Sequence, residues 1–459
     1  MTFILEKITV DHLTFAYTDQ PQLADISLAF PIGQFSLLIG PTGCGKSTLL
    51  KIMAGLYPKY GGKVALGTVD LAGLKQAMMF QDAGEQFTMA TPREEIIFTL
   101  ENLGLDKNSY EKRLAKAADF AQIQDLLDQK IVTMSGGEKQ RVALAVLIAM
   151  DVDLFLLDEP FASVDPVART FLVDRLAKLR DQGKTIILTD HLFNDYLGKV
   201  DQLYQFKNQQ VTQVDSTTRD QILSALDDIQ LAFPLPAEKN LHDPAFVLSD
   251  LTLNPGKLLL KQDQLAIPKG KVTLLTGQNG TGKTSLFKAM TKLMPYTGSL
   301  KWERQEVAKA KERQYFSHVA QIFQNATDQF MAITVKDELA ISQKGQHNPY
   351  FTKDRLEAAL GQLDLTDHLD QVVYSLSGGQ KKKLQILLML LSGHEVLLID
   401  EPLSGLDHKS IDQVLALLKE SQKAMGQTII VISHQFYGLN NWCDYHLRLA
   451  DQKLTYVTD

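Results

Sequence analysis

The chain has 459 residues and a formal net charge of −7, with 47 Lys and Arg against 54 Asp and Glu, a balance that argues against a protein whose main task is to grip nucleic acid. Its longest apolar runs, such as Val142–Met150 and Ile386–Leu391, fall well short of the roughly 18 to 20 residues a membrane-spanning helix needs. Two cysteines exclude a disulfide framework or a cysteine-bound cluster, and Met1–Glu6 has no basic and apolar secretion signal, so a cytosolic location is expected.

The first predicted element of consequence is Ser36–Ile39, a short apolar run that stops at a glycine loop and is followed by a helical pattern over Ser47–Ala54. The loop Gly40-Pro41-Thr42-Gly43-Cys44-Gly45-Lys46-Ser47 matches G-x-x-x-x-G-K-[ST], the Walker A pattern, in which backbone N–H groups at a helix N-terminus point together at a nucleotide's phosphates. Lys46 is expected to reach the β- and γ-phosphates and Ser47 to ligate Mg²⁺, with Thr48 beside it; Cys44 fills a variable position and has no assigned chemistry. Further on, Ser135-Gly136-Gly137-Glu138 opens another helical run, and a serine with two glycines there makes a second phosphate-sized nest of donors. Leu154–Leu157 reads as a buried parallel strand ending in Asp158-Glu159, and Thr185–Leu188 as a second one leading to His191. Asp158 is placed to hold the metal through its water shell and Glu159 to polarise an attacking water.

Residues 216–245 carry Pro234, Pro236 and Pro244 and read as a linker between domains at 1–215 and 246–459. After it the series repeats. Val272–Leu275 leads into Gly277-Gln278-Asn279-Gly280-Thr281-Gly282-Lys283-Thr284, with Ser285 next; Ser377-Gly378-Gly379-Gln380 follows, then Val396–Ile399 with Asp400-Glu401, then Thr428–Ile432 with His434. Corresponding landmarks lie 237 residues apart at the glycine loop and 242 or 243 apart from Gln81 and Gln324 onward. One insertion, in the charged stretch Trp302–Arg313, accounts for the difference. Lys381-Lys382-Lys383 is expected to be a solvated helix face rather than a nucleic-acid patch.

With the Ser-Gly-Gly-Gln pattern behind the Walker motifs, the sequence resembles the ABC ATPases over nearly its whole length. The resemblance implies an α/β fold of two tandem ABC-type P-loop NTPase domains, each with a mainly parallel sheet core, an antiparallel β subdomain and a helical signature subdomain. It implies ATP and Mg²⁺ as ligands, with the two domains pairing within one chain so that the signature of one closes over nucleotide held by the other. Gln81 and Gln324 look like Q-loop glutamines that sense Mg²⁺, His191 and His434 like switch histidines, and Ser163–Asp165 and Ser404–Asp407 like D-loops. Tyr17 stands where the family places an aromatic that stacks on adenine, whereas Leu251–Pro255 offers none, so weaker binding is expected at the second Walker site. Glu138 replaces the usual signature glutamine.

Behind each Q-loop glutamine, Asp82–Phe87 and Asn325–Phe330 resemble the F-Q-N-P-D-x-Q-[FI] stretch of energy-coupling-factor importers, although both lack the proline. That resemblance implies a peripheral ATPase on the cytoplasmic face of a membrane. It would dock through about Thr88–Leu103 and Met331–Ile341 on a transmembrane coupling subunit that carries a separate membrane substrate-binding subunit for a vitamin or transition-metal ion. The alternatives are the ATPase of another ABC transporter class or a twin-ATPase acting on ribosomes. The latter usually has a strongly basic linker, and only Arg219 and Lys239 are basic between Ser216 and Ala245.

Overall fold

The computed structural model describes residues 6–207, 210–224, 232–344 and 348–458. The chain divides into two compact units, Met1–Asp227 and Asp228–Asp459, and each repeats the same plan around its own cores.

In the first unit a six-stranded sheet runs in the order Gln76–Met79, Leu154–Asp158, Thr185–Thr189, Phe35–Ile39, Gln202–Lys207 and Gln210–Val214. Neighbours are parallel except for the last pair. Every residue of Phe35–Ile39, Leu154–Asp158 and Thr185–Thr189 is buried, because helices and a second sheet cover both faces and leave no solvent side for polar alternation. The second sheet is antiparallel, in the order Pro21–Pro31, Lys7–Ala16 and Lys63–Asp70. Helices Pro92–Asn102, Lys107–Ala121 and Gly136–Met150 form a helical region on the other side.

The second unit repeats this with Val319–Ile322, Val396–Asp400, Thr428–Ile432, Val272–Thr276, Tyr445–Ala450 and Lys453–Val457. Its antiparallel sheet gains a fourth short strand, Gln305–Glu306, paired with Lys301 and Trp302. The residues that shift the register between the halves therefore form a hairpin and a short helix, Glu312–Tyr315, ahead of the strand Val319–Ile322. The segment between the halves is anchored at both ends. Helix Ser216–Ser224 buries Leu223 in the first unit, and Phe233 joins the core of the second, where its N–H donates to the carbonyl of Thr458 at 3.0 Å.

Parallel strands bring all their carboxyl ends to one edge of a sheet. In the first unit that edge carries Gly40, Asp158 and the residues after Thr189; in the second it carries Gly277, Asp400 and the residues after Ile432.

Candidate active sites

The glycine loops owe their shape to backbone that side chains would prevent. Gly45 and Gly282 cap helices Lys46–Met53 and Lys283–Met290 with φ of 106° and 107°, the left-handed side that glycine adopts freely. A Cβ on Gly45 would also lie 2.4 Å from Leu23 Cδ2. The loop then closes on its own lysine. Lys46 Nζ donates to the carbonyls of Gly40 and Pro41 at 2.7 and 3.1 Å, and Lys283 Nζ to those of Gly277 and Gln278 at 2.6 and 2.9 Å. Both ammonium groups are thus held in the loop where phosphates would be cradled. Thr281 Oγ1 donates to the Gln278 carbonyl at 2.9 Å.

Behind each loop the residues expected to ligate a metal meet. Ser47 Oγ donates to Asp158 Oδ1 at 2.9 Å and Thr284 Oγ1 to Asp400 Oδ2 at 2.8 Å. A hydroxyl and a carboxylate side by side are the hard oxygen donors that suit Mg²⁺, which takes its remaining ligands from phosphate and water. Ser47, Thr284, Asp158 and Asp400 fit that ion, and it would supply a counter-charge for the phosphates. Burial pushes the carboxyls of Asp158 and Asp400 up, and Glu159 adds to the effect at Asp158. A cation there would reverse that cost. Sequence reasoning missed Thr189, whose Oγ1 donates to Asp158 Oδ1 at 2.8 Å; its place at the end of the apolar run Thr185–Leu188, just before Asp190 and His191, was the available signal.

Glu159 and Glu401 sit one residue beyond their strands with φ of 47° and 49°. A non-glycine residue in that region costs about 1 to 3 kcal/mol. The conformation lets each glutamate N–H return to the neighbouring strand, at the carbonyl of Thr189 (3.1 Å) or Ile432 (2.9 Å), and turns the side chain toward the site. In the first half Gln81 Nε2 donates to Glu159 Oε2 at 2.9 Å, and His191 Nε2 lies 2.9 Å from Glu159 Oε1. In the second, the His434 N–H donates to Glu401 Oε2 at 3.3 Å, while His434 Nε2 lies 3.6 Å from Glu401 Oε1 and 3.0 Å from Asn279 Oδ1. Burial, reinforced by Asp400, drives Glu401 above the usual carboxylate range. Gln324 is drawn in by its backbone, its carbonyl accepting from Lys382 Nζ at 2.7 Å.

Lys382 corrects an expectation. Lys382 and Lys383 are buried, not on a solvated face, because helix Gly378–Leu391 packs on nearly all sides. Lys383 lies 3.6 Å from Asp364. Burial lowers the Lys382 ammonium to about 8 against the pull of Asp400 and Glu401. In the first half Gln140 holds the matching place; its Nε2 donates to the Glu159 carbonyl at 3.5 Å and its Oε1 accepts from the Ser163 N–H at 2.9 Å.

The signature serines each begin a helix with a full capping box. Ser135 Oγ accepts from the Glu138 N–H while Glu138 Oε2 accepts from the Ser135 N–H at 2.8 Å; Ser377 and Gln380 do the same, at 2.9 Å for the return bond. Glutamate and glutamine offer the same acceptor oxygen, which explains how Glu138 stands in for glutamine without loss of the cap. Gly136, Gly137, Gly378 and Gly379 form the first turns. Tyr17 lies beside the first glycine loop, its hydroxyl 2.9 Å from Thr48 Oγ1 and its ring edge-on to Phe15 and Tyr57, with nearly half its surface exposed.

The ABC transporter family profile matches residues 23–162 and 260–404, well over half the chain and covering both glycine loops, both signatures and both Asp-Glu pairs. The chain belongs to the ABC transporter family. It is an ATPase with two fused ATP-binding domains. A Treponema denticola protein named as an ABC transporter ATP-binding protein is 30% identical over 97% of this chain and 96% of its own length. A Bacillus subtilis protein named as an HMP/thiamine import ATP-binding protein, YkoD, is 28% identical over 98% of this chain and 91% of its own. Among solved structures, a ribosome-bound archaeal Pelota and ABCE1 assembly contains a chain similar at TM-score 0.73 and 17% identity, covering 97% of this chain and 78% of that one. An archaeal ribosome recycling factor, aABCE1, in complex with stalk protein aP1 is similar at 0.61 and 20%, covering 92% and 85%. At these identities the structural likeness concerns the fold alone. Among the described residues no helix is long and apolar enough to cross a membrane.

Proposed function

We propose that this chain is the ATPase subunit of an energy-coupling-factor-type importer, docked peripherally on the cytoplasmic face of a membrane and driving uptake of a vitamin or transition-metal ion. Its partners on this reading are a transmembrane coupling subunit and a separate membrane substrate-binding subunit, with no nucleic acid. The observation that carries the reading is the apolar surface directly behind the second Q-loop. Met331 and Ile333 are 82% and 68% exposed, and Val372 and Tyr374 are exposed beside them. The two segments are joined by the Val373 N–H bonded to the Ile333 carbonyl at 2.9 Å. The first half has Val132 exposed at the matching place, with the Ile131 N–H bonded to the Ala90 carbonyl. Apolar groups gathered on a surface mark an interaction site, and the end-to-end likeness to a protein named for import supports a membrane partner.

In the catalytic step Lys46 and Lys283 would bind and orient the phosphates, and Glu159 and Glu401 would align the attacking water and take up its proton, with His191 and His434 beside them at the γ-phosphate. The test is affinity purification of the chain from detergent-solubilised native membranes, with mass spectrometry of what accompanies it. Recovery of a polytopic membrane protein with a small integral binder is expected. Recovery of ribosomal proteins, with no membrane partner, would overturn the importer reading and leave the ATPase.

A further inference from the structure

The loops that present the two histidines are held by different chemistry. In the first half Asp190 precedes His191. Its Oδ1 accepts from the N–H groups of His191 and Leu192 at 2.7 and 3.1 Å, and its Oδ2 accepts from the Tyr196 hydroxyl at 2.6 Å and Arg169 Nη2 at 3.2 Å. Arg169 comes from helix Pro166–Asp181, and its Nη2 also donates to the Leu192 carbonyl at 2.6 Å. Its Nε lies 2.8 Å from Asp195, and its guanidinium 5.5 Å from the Tyr196 ring centre. Arg169, Asp190 and Tyr196 are all buried. Burial works against the Arg169 charge, and Asp190 and Asp195 outweigh it.

The repeat register places Ile411, Ser433 and Leu439 at these positions in the second half. Ile411 and Leu439 lie in its apolar core, and Ser433 Oγ only closes a local turn on Gln435, donating to its carbonyl at 2.8 Å and accepting from its N–H at 3.1 Å. The same fold is thus built at this place without buried charge. A buried ion pair is a poor source of stability compared with apolar packing, so the network in the first half calls for another reason. It tracks with the histidine: His191 Nε2 is 2.9 Å from its glutamate, whereas His434 Nε2 is 3.6 Å from Glu401 and closer to Asn279.

We propose that Arg169, acting through Asp190, is a positioning residue that presets His191 against Glu159, so that the first Walker site turns over with its histidine already in place. Arg169→Ile combined with Asp190→Ser and Tyr196→Leu gives the first half the second half's residues and removes the paired charges together. ATP turnover is measured in the unaltered chain and in a Glu401→Gln background, with the stoichiometry of a bound non-hydrolysable ATP analogue counting intact sites.

The analogue stoichiometry and the KM for ATP are expected to hold, since Lys46 and its loop are untouched. In the Glu401→Gln background kcat should fall roughly ten- to a hundredfold, the scale of a displaced catalytic group. In the unaltered chain it should fall to about half if the sites turn over independently and as far as in the background if they act together. A kcat within about twofold of the parent in the Glu401→Gln background, or unchanged in the unaltered chain where that background is itself silent, overturns the proposal. If the triple variant loses analogue binding, Tyr196→Phe decides, because it deletes the hydroxyl bond to Asp190 and keeps the ring. A lower kcat at constant KM supports the proposal, and an unchanged kcat overturns it.

Discussion

Single side chains in the glycine loops carry consequences that can be measured without a partner. Cys44 is half-buried in the first loop and Cys443 fully buried in the second unit's core. Burial pushes both thiols up, at Cys44 against the opposing charge of Lys46. A raised pKa means less thiolate at any given pH, and the thiolate is the reactive form. Pulsed alkylation followed by mass spectrometry should therefore label Cys44 well before Cys443. The Cys44 rate should still climb with pH above about 9.5, where an exposed thiol with a pKa of about 8.5 has levelled, and ATP should slow it. Equal labelling of the two cysteines in the native chain would contradict the burial described. Tyr17 sets a second residue-scale expectation. Its ring is held beside the loop by Thr48, Phe15 and Tyr57, and Leu251–Pro255 offers no aromatic ring in the second half. Tyr17→Ala should weaken ATP at the first site by about 1 kcal/mol, roughly fivefold, in a titration that resolves the two sites. The second site should bind more weakly in the unaltered chain.

At the scale of elements, the loops behind the Q-loops are shaped from within by one buried glutamate each. Glu95 Oε2 accepts from the N–H groups of Thr88 and Met89 at 2.8 and 2.7 Å, and Glu338 Oε1 accepts from those of Met331 and Ala332. Glu95→Ala would leave two part-buried donors unmatched, a cost of about 1 to 3 kcal/mol each, whereas Glu95→Gln keeps an acceptor. Thermal denaturation should rank the variants in that order, and hydrogen exchange should speed at Thr88 and Met89 in the alanine variant; equal stability of both would remove this role. These glutamates illustrate what the sequence conceals. The three central parallel strands of each unit were legible because each is an apolar run leading to a chemically distinctive residue, such as Ile39 before Gly40 or Leu157 before Asp158, whereas the flanking strands Gln76–Met79, Gln202–Lys207, Val319–Ile322 and Tyr445–Ala450 carry no such mark. The pairing of Ser47 with Asp158 followed from the order of motifs. Glu95, Lys382 and Arg169 were not legible, since a charged residue on a helix reads as solvent-facing until the carbonyls, amides or carboxylates that meet it are known. Lys382 was misread for that reason. The antiparallel partnership of Lys7–Ala16 with Pro21–Pro31 and Lys63–Asp70 was equally hidden, because its register depends on contacts between segments far apart in the chain.

At the scale of the whole molecule, the two halves keep the same reactive set while differing in what surrounds it. Lysine, hydroxyl, aspartate, glutamate and histidine recur at one sheet edge in each unit, whereas in the repeat register Arg169 corresponds to Ile411 and Gln140 to Lys382. On the proposed mechanism the retained groups are the ones hydrolysis uses, so both sites should be competent, with rates set apart by the surroundings. Replacing a catalytic glutamate by glutamine preserves shape and hydrogen bonding but removes the proton acceptor, which should keep ATP bound while slowing its turnover at that site by a factor on the order of a hundred or more. Glu159→Gln and Glu401→Gln, each alone, should then leave measurable ATP hydrolysis from the other half, and the double variant should reduce it to near background. Steady-state phosphate release from the three variants, set beside equilibrium binding of ATP to each, gives the answer. Residual activity should be lower in Glu159→Gln than in Glu401→Gln, because the first half is the one whose histidine lies within hydrogen-bonding distance of its glutamate. Complete loss of hydrolysis in Glu159→Gln would instead mean that the second site cannot act without the first, and the two sets of motifs would then constitute a single cooperative machine.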